Sequence, residues 1–319
     1  MKTIQSVALI GLGAIGAAYG SRLHKTLGER HTVIANEERI GRYSKTGIDV
    51  EGELVHFHFT TPDAEAAPAD LIIIAVKNAE MQEAIRDMKH HVGPETILLP
   101  LLNGISSEEE LAAVYPDNPI LYSMCVGIDA IRSGNEVRFS SIGKICFGEK
   151  DKTVSDHVKA VMELFDRSEI PYDVPEDIWR TLWWKFMFNV GINQTSAVLR
   201  APYKVFQNVP AAHQWMQAAM YEVVALSKKA GVHLTEEDVH SFRPILAKLA
   251  PDGKTSMLQD VDAGRKTEVE YFAGKVCELG KKYGVPTPIN DQLLQMIPII
   301  EAINDAELDK TEERTTYLV

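Results

Sequence analysis

Four short, mainly apolar runs punctuate the first third of this 319-residue chain: Val7-Ala8-Leu9-Ile10, Thr32-Val33-Ile34-Ala35, Leu71 to Val76 and Thr96 to Leu102. A strand that is apolar at every position, and not at every second one, is buried on both faces. Ala17 to Leu27 and Ala79 to Val92 read as helices between such strands. Strands alternating with helices predict an α/β domain with a doubly wound, mostly parallel sheet. From Ile120 to Gly148 the pattern turns β-rich, broken by Gly127, Gly134, Gly143 and Gly148, which predicts antiparallel strands extending that sheet. After Asp151 helical periodicity dominates, with breaks at Pro171, Pro175, Pro202, Pro210, Pro251 and Pro286. This predicts an all-α C-terminal domain. Glu169 to Pro175 reads as a linker, dividing the chain into residues 1–170 and 171–319.

The first buried run leads at once into Gly11-Leu12-Gly13-Ala14-Ile15-Gly16. This spacing is weak alone, but here it follows a strand and opens a helix, as in a Rossmann dinucleotide site. Gly11 allows the tight turn, Gly13 lets backbone approach a pyrophosphate, and Gly16 permits close helix–strand packing. The helix N-terminus offers free N–H groups and its positive dipole end. Asn36, Glu37 and Glu38 end the second strand, where an acid would bind the adenosine ribose of NAD and an Arg the extra phosphate of NADP. Arg39 and Arg42 follow a turn later, so both cofactors stay open. Lys77 and Asn103 stand just past two further parallel strands, where ligands of open α/β sheets collect. Each also reads as a solvated strand exit or a simple turn.

The helical half carries a polar stripe. Lys185, Asn189 and Asn193 are four residues apart in an otherwise apolar segment. In a helix such a step advances about 400°, so each group lies ~40° from the last. Burying these groups without partners costs on the order of several kcal/mol, so the stripe wants a polar object against it. A small ligand bearing a carboxylate, hydroxyl or carbonyl fits, as does an interhelical polar network or solvent. Ser256 with Gln259, and Thr267 with Glu270, have the spacing of helix starts. Glu268 between them reads equally as a first-turn carboxylate. His56 and His58 alternate on one strand face with no third ligand nearby. His90-His91 reads as a solvated helix end, and the tryptophans as packing residues. Neither G-x-S-x-G nor H-E-x-x-H occurs.

Composition narrows the classes. A net charge of -12, with no basic run, argues against nucleic acid. Cys125, Cys146 and Cys277 are odd in number and scattered, as expected of reduced core thiols in a cytoplasmic protein. The N-terminus runs straight into a strand, not into a signal peptide. The longest apolar runs are too short to span a bilayer.

Taken together, these pieces resemble the ketopantoate reductases (2-dehydropantoate 2-reductases) over nearly the whole chain. The resemblance rests on Gly11 to Gly16, Val76-Lys77, Asn103-Gly104, the Lys185/Asn189/Asn193 stripe, and Ser256 to Asp260 leading to Thr267-Glu268. It implies a Rossmann domain, then a helical substrate-binding and dimerisation domain, with the active site in the cleft between them. It implies that Lys185 gives a proton to the substrate carbonyl oxygen, and that Asn189, Asn193 and Ser256 hold the 2-oxo acid. Lys77, Asn103, Ala130 and Glu268 would contact the cofactor or orient the catalytic groups, with Asn103 also facing substrate. NADP is the cofactor implied, with NAD kept open, and the apolar stretch Leu293 to Ile300 reads either as a homodimer interface or as core. Two departures favour a second reading, an NAD-dependent D-2-hydroxyacid dehydrogenase acting on branched or aromatic 2-oxo acids. Asn36, followed by Glu37, stands where the family usually has an Arg, and Tyr203 where some members have an Asn. A third reading, a non-catalytic dinucleotide sensor, sits poorly with Lys185 and Glu268 both present.

Overall fold

The computed structural model describes residues 3–316, with side chains as far as residue 305. Its strands are β1 (Val7–Ile10), β2 (His31–Ile34), β3 (Ile48–Val50), β4 (Glu53–Val55), β5 (His58–Thr60), β6 (Leu71–Ile74), β7 (Ile97–Pro100), β8 (Tyr122–Ile128), β9 (Ile131–Ser133), β10 (Glu136–Arg138), β11 (Ile142–Gly148) and β12 (Tyr172–Asp173). The chain forms two compact units, Met1–Leu182 and Trp183–Val319.

In the first unit, five parallel strands lie in the order β5-β2-β1-β6-β7. Side chains of β1 alternate between two cores. Val7 and Leu9 join Tyr19 and Leu23 of α1 (Ala14–Leu27) and Phe165 of a later helix. Ala8 and Ile10 join Met81 and Ile85 of a helix following β6, and Leu111 of one following β7. The uninterrupted apolar run therefore serves both faces of a doubly wound sheet. The remaining helices of this unit are α2 (Glu37–Thr46), α3 (Met81–Asp87), α4 (Ser107–Val114) and α5 (Asp156–Arg167). A second sheet runs β4-β3-β10-β9 and a third β12-β11-β8. The expected antiparallel extension is the β8–β11 pair, joined to the parallel sheet by a single bridge between Leu98 and Ile120.

The proline-bounded segment Glu169 to Pro175 is not a free linker. Tyr172 and Asp173 pair with Ile145 and Cys146 as β12, and the Tyr172 ring lies 5.9 Å from Phe147. Prolines exclude a helix there but leave a two-residue strand available. The division falls instead after Leu182, inside α6 (Ile178–Phe188). Likewise His91 is no solvated helix end: it is buried, and its Nε2 lies 3.0 Å from the Thr61 carbonyl oxygen.

The second unit continues from α6 through a π-helical turn, Asn189–Asn193, into α7 (Gln194–Leu199), α8 (Tyr203–Asn208), α9 (Pro210–Lys229), α10 (Glu236–His240), α11 (Phe242–Leu246), α12 (Ser256–Asp262), α13 (Ala273–Tyr283) and α14 (Pro288–Thr316). Pro210 opens α9 at a position where its missing N–H costs nothing. A buried polar chain ties four of these helices. Gln194 Nε2 donates to Asn290 Oδ1 (3.2 Å), and Asn290 Nδ2 donates to Glu222 Oε2 (2.7 Å). Glu222 also accepts the Ile289 and Asn290 N–H groups, capping α14, while Gln194 Oε1 accepts from Ala273 N at the start of α13. Every member has partners, so the chain specifies one packing instead of weakening the core.

One buried group in the first unit works the other way. His31 on β2 is fully buried, and neither ring nitrogen has a hydrogen-bond partner. Burial, reinforced by the imidazoles of His24 and His58, lowers its pKa from 6.5 to about 3. The unfolded chain therefore binds a proton that the folded chain refuses. The resulting stability is fully present above pH 6.5 and is lost as pH falls toward about 3. His31→Leu is expected to raise the urea midpoint and to flatten its fall below pH 6.5. An unchanged acid slope would contradict this account.

Candidate active site

The glycine-rich turn sits at the carboxyl end of β1. Gly11 has φ +94°, and a Cβ there would lie 2.5 Å from the Ala75 carbonyl carbon. A Cβ on Gly16 would collide with the Gly11 carbonyl oxygen. These two glycines are required by the packing of turn on strand. Gly13 differs: it is exposed, and nothing lies within 4 Å of where its Cβ would be. Its open face is a cradle that a side chain would fill. Leu12 is buried, Ala14 and Ile15 are half-buried, and no acid occupies the first turn of α1. The dipole and free N–H groups of that helix are thus left for an anion, so these residues fit a dinucleotide pyrophosphate.

Around this turn, the other expected cofactor residues occupy strand ends. Asn36 is exposed and caps α2, its Oδ1 accepting from Arg39 N at 2.9 Å. Lys77 follows β6 and is exposed; Asn103 follows β7 and is half-buried; Ala130 follows β8 and is half-buried. Because β1, β6 and β7 are adjacent and parallel, Gly11, Lys77 and Asn103 share the carboxyl edge of one sheet. Two residues that sequence reasoning missed hold this edge. Asn78 is buried and donates from Nδ2 to the Asn103 carbonyl oxygen (3.0 Å), joining the loops after β6 and β7. Glu108, buried in the first turn of α4, accepts from Ser107 Oγ (2.9 Å) and Ser123 N (3.3 Å). Ser123 Oγ in turn donates to the Pro100 carbonyl oxygen, so the Asn103 loop is fixed at both ends.

Burial pushes the Glu108 carboxyl from 4.5 to about 7, against the opposing hydrogen bonds from its own N–H, Ser107 and Ser123. A raised carboxyl favours the protonated folded state. Its contribution to stability is full below pH 4.5 and disappears as pH rises to about 7, the opposite sign to His31. Glu108→Gln keeps the shape without the ionisation. It is expected to gain on the order of 3 kcal/mol over the parent at pH 8, and little at pH 4.5. A difference between the two proteins that does not vary with pH would refute this.

In the second unit the polar stripe is present, but its helix is not uniform. Lys185 lies half-buried on α6; Asn189 begins and Asn193 ends the π turn. Such turns widen the helix by one residue and recur at functional sites. Gly191 permits this one, since a Cβ there would meet Met220 Cε at 2.5 Å and Met216 O at 3.0 Å. Asn193, 7% exposed, directs Nδ2 to Ser256 Oγ at 3.5 Å. The expected capping box at Ser256 is displaced by one residue. Thr255 is the cap, its buried Oγ1 accepting from Leu258 N (3.1 Å) and donating to Ser196 Oγ (3.2 Å). The exposed Ser256 hydroxyl is therefore not used as a cap.

Glu268 is half-buried and makes no cap of its own to the short turn Val269–Tyr271. The segment before it is clamped from α14. Glu301 accepts from Thr267 N (2.9 Å), Thr267 Oγ1 (2.7 Å) and Lys266 Nζ (3.0 Å). Burial alone would raise the Glu301 carboxyl, but these donors outweigh it and hold it below the usual range. Neither Glu301 nor Asn78 lies in a motif, so no local signal marks them. Their partners are 34 and 25 residues away.

Two family models together cover most of the chain. Residues 7–152 match "Ketopantoate reductase PanE/ApbA" and residues 177–301 match "Ketopantoate reductase PanE/ApbA C terminal". The chain is similar to the 2-dehydropantoate 2-reductase of Aquifex aeolicus, 26% identical over 307 residues, covering 94% of this chain and 98% of that one. Among solved structures it resembles a PanE/ApbA family ketopantoate reductase from Ralstonia eutropha JMP134, with a TM-score of 0.83 at 24% identity (94% and 99% covered). It resembles in fold a D-mandelate dehydrogenase solved with NADH and anilino(oxo)acetate, with a TM-score of 0.84 at 21% identity (94% and 99% covered).

Proposed function

Since the chain belongs to the ketopantoate reductase family of NAD(P)-dependent oxidoreductases, we propose that it reduces ketopantoate to (R)-pantoate with NADPH. The contact between Asn193 and Ser256 carries this reading. It brings a carboxamide of the stripe and a hydroxyl from 63 residues away to one place, with Lys185 two helical turns behind. Asn189, Asn193 and Ser256 would hold the carboxylate and hydroxyl of the oxo acid. As charge builds on the ketone oxygen, the Lys185 ammonium would stabilise it and give up a proton to it. A reduced nicotinamide, when bound, supplies the hydride. The glycine turn would seat its pyrophosphate, and Lys77, Asn103, Ala130 and Glu268 would position its other groups and the reacting ones. In this reading the second unit, from Trp183 onward, forms the substrate-binding and dimerisation domain of a cytoplasmic enzyme. The outer face of α14, where Met296, Ile299 and Ile303 are exposed, is a candidate contact between two copies.

A second reading, an NAD-dependent D-2-hydroxyacid dehydrogenase, is favoured by Tyr203. Its ring is half-buried, and its Cδ2 lies 3.0 Å from where a Cβ of Gly253 would stand, three residues before Ser256. An aromatic ring there suits a bulkier substrate than pantoate. Initial rates with NADPH and NADH, on ketopantoate beside branched and aromatic 2-oxo acids, decide between them. Fast NADPH oxidation with ketopantoate is expected; activity confined to NADH and the bulkier acids would replace the first reading by the second.

A further inference from the structure

The residue that follows β2 is Asn36, and its carboxamide oxygen is taken up in capping α2. Arg39, the first cation after it, lies 3.5 Å from Glu80. Two other arginines converge nearby. The Arg42 guanidinium carbon is 5.2 Å from the centroid of the Tyr43 ring, and that of Arg132, on β9, is 4.8 Å from the same centroid. Arg132 also donates through Nη1 to the carbonyl oxygen of Leu12, within the glycine-rich turn, and through Nε to Gly134 O at 2.9 Å. Acids outnumber bases 45 to 33 in this chain, yet among the described residues neither Arg42 nor Arg132 forms an ion pair with a carboxylate.

We infer that Arg42 and Arg132, gathered on Tyr43 beside the glycine-rich turn, form the seat for the 2′-phosphate of NADPH. The inference rests on the nucleotide reading above and adds which residues select between the two cofactors. Like charges held on one ring repel each other, and a dianion lying against both removes that repulsion. A planar guanidinium matches phosphate in a two-point fork. Tyr43 holds both guanidinium carbons within cation–π range of its ring and is itself stacked on Phe59, 6.2 Å away, so both cations are anchored to a packed side chain. The Leu12 contact sets Arg132 against the turn that would carry the pyrophosphate, the neighbourhood of an adenosine ribose. The family position after β2 is thus replaced by a pair from α2 and β9. Glu37 and Glu38, exposed in the first turn of α2, oppose an anion, so the selectivity depends on both arginines acting together.

The test is fluorescence titration of the full-length protein with NADPH, NADH, adenosine 2′,5′-bisphosphate and AMP. Arg42→Ala and Arg132→Ala are each expected to weaken NADPH and the bisphosphate by about 10- to 100-fold, the scale of a lost charge-assisted contact. NADH and AMP should stay within about 2-fold, a split that a merely destabilised fold would not produce. Equal losses for both nucleotides would make Arg132 a structural prop of the turn and overturn the inference, as would unchanged NADPH binding in both variants. A parent protein that binds NADH more tightly than NADPH would also overturn it while leaving the dinucleotide reading intact. Absence of binding by either nucleotide would remove both.

Discussion

Lys185→Ala is expected to lower turnover on the preferred 2-oxo acid by about 100-fold or more, the usual scale for loss of a general acid. The effect should fall on kcat, because the interaction with a developing oxyanion is stronger in the transition state than with the bound ketone. Nucleotide affinity should not change, since Lys185 is assigned to the ketone oxygen and the glycine turn to the pyrophosphate. Asn193→Ala offers the contrast. It removes a group assigned to holding the substrate and should act mainly on KM. The readouts are steady-state rates beside circular dichroism and an NADPH titration. A well-folded Lys185→Ala protein that keeps its turnover would sink the assignment of the proton donor, and with it the catalytic reading of the stripe.

The second large effect concerns the glycines of the turn, which the structure separates into two kinds. Gly16→Ala places a methyl onto the Gly11 carbonyl oxygen, so strand and helix must part. Overpacking of this kind costs about 1–3 kcal/mol and more where backbone must move. A thermal midpoint lowered by several degrees is expected, together with loss of nucleotide binding. Gly13→Ala places its methyl into open space. It should melt like the parent and yet bind the dinucleotide at least about 10-fold less tightly, because the backbone can no longer approach the pyrophosphate. Normal binding by a stable Gly13→Ala protein would show that this face of the turn is not where the ligand sits.

Much of the first unit is legible in the chain because its signals are local. A short apolar run with no polar interruption, such as Leu71 to Val76, has the length and the β-branched content of a strand covered on both sides. The glycine spacing is readable because Gly11 takes a positive φ in the turn and Gly16 must clear the Gly11 carbonyl five residues earlier; the Ala75 wall that Gly11 also clears is a tertiary contact. The candidate site is legible in its polar types and spacing: Lys185, Asn189 and Asn193 were visible as a stripe. What was missed depends on partners far along the chain. Glu301 reads as one more acid on the C-terminal helix until Thr267 and Lys266 are seen against it. Asn78 reads as a loop residue until its Nδ2 meets the Asn103 carbonyl. His91 looked solvated because its burial is set by the chain around Thr61, 30 residues earlier.

By itself, then, the sequence determined the alternation of strands and helices, the glycine-rich turn and the residue types of the polar stripe. These follow from periodicity and from sterics acting over a few residues. Tertiary structure decided the rest. It turned the stripe through a π turn that Gly191 allows against Met220, moved the α12 cap from Ser256 to Thr255, and made β12 out of an apparent linker. It also set two arginines from α2 and β9 on one tyrosine beside the glycine turn. In each case several local conformations were affordable, and the choice among them was made by packing partners that only the folded chain brings within reach.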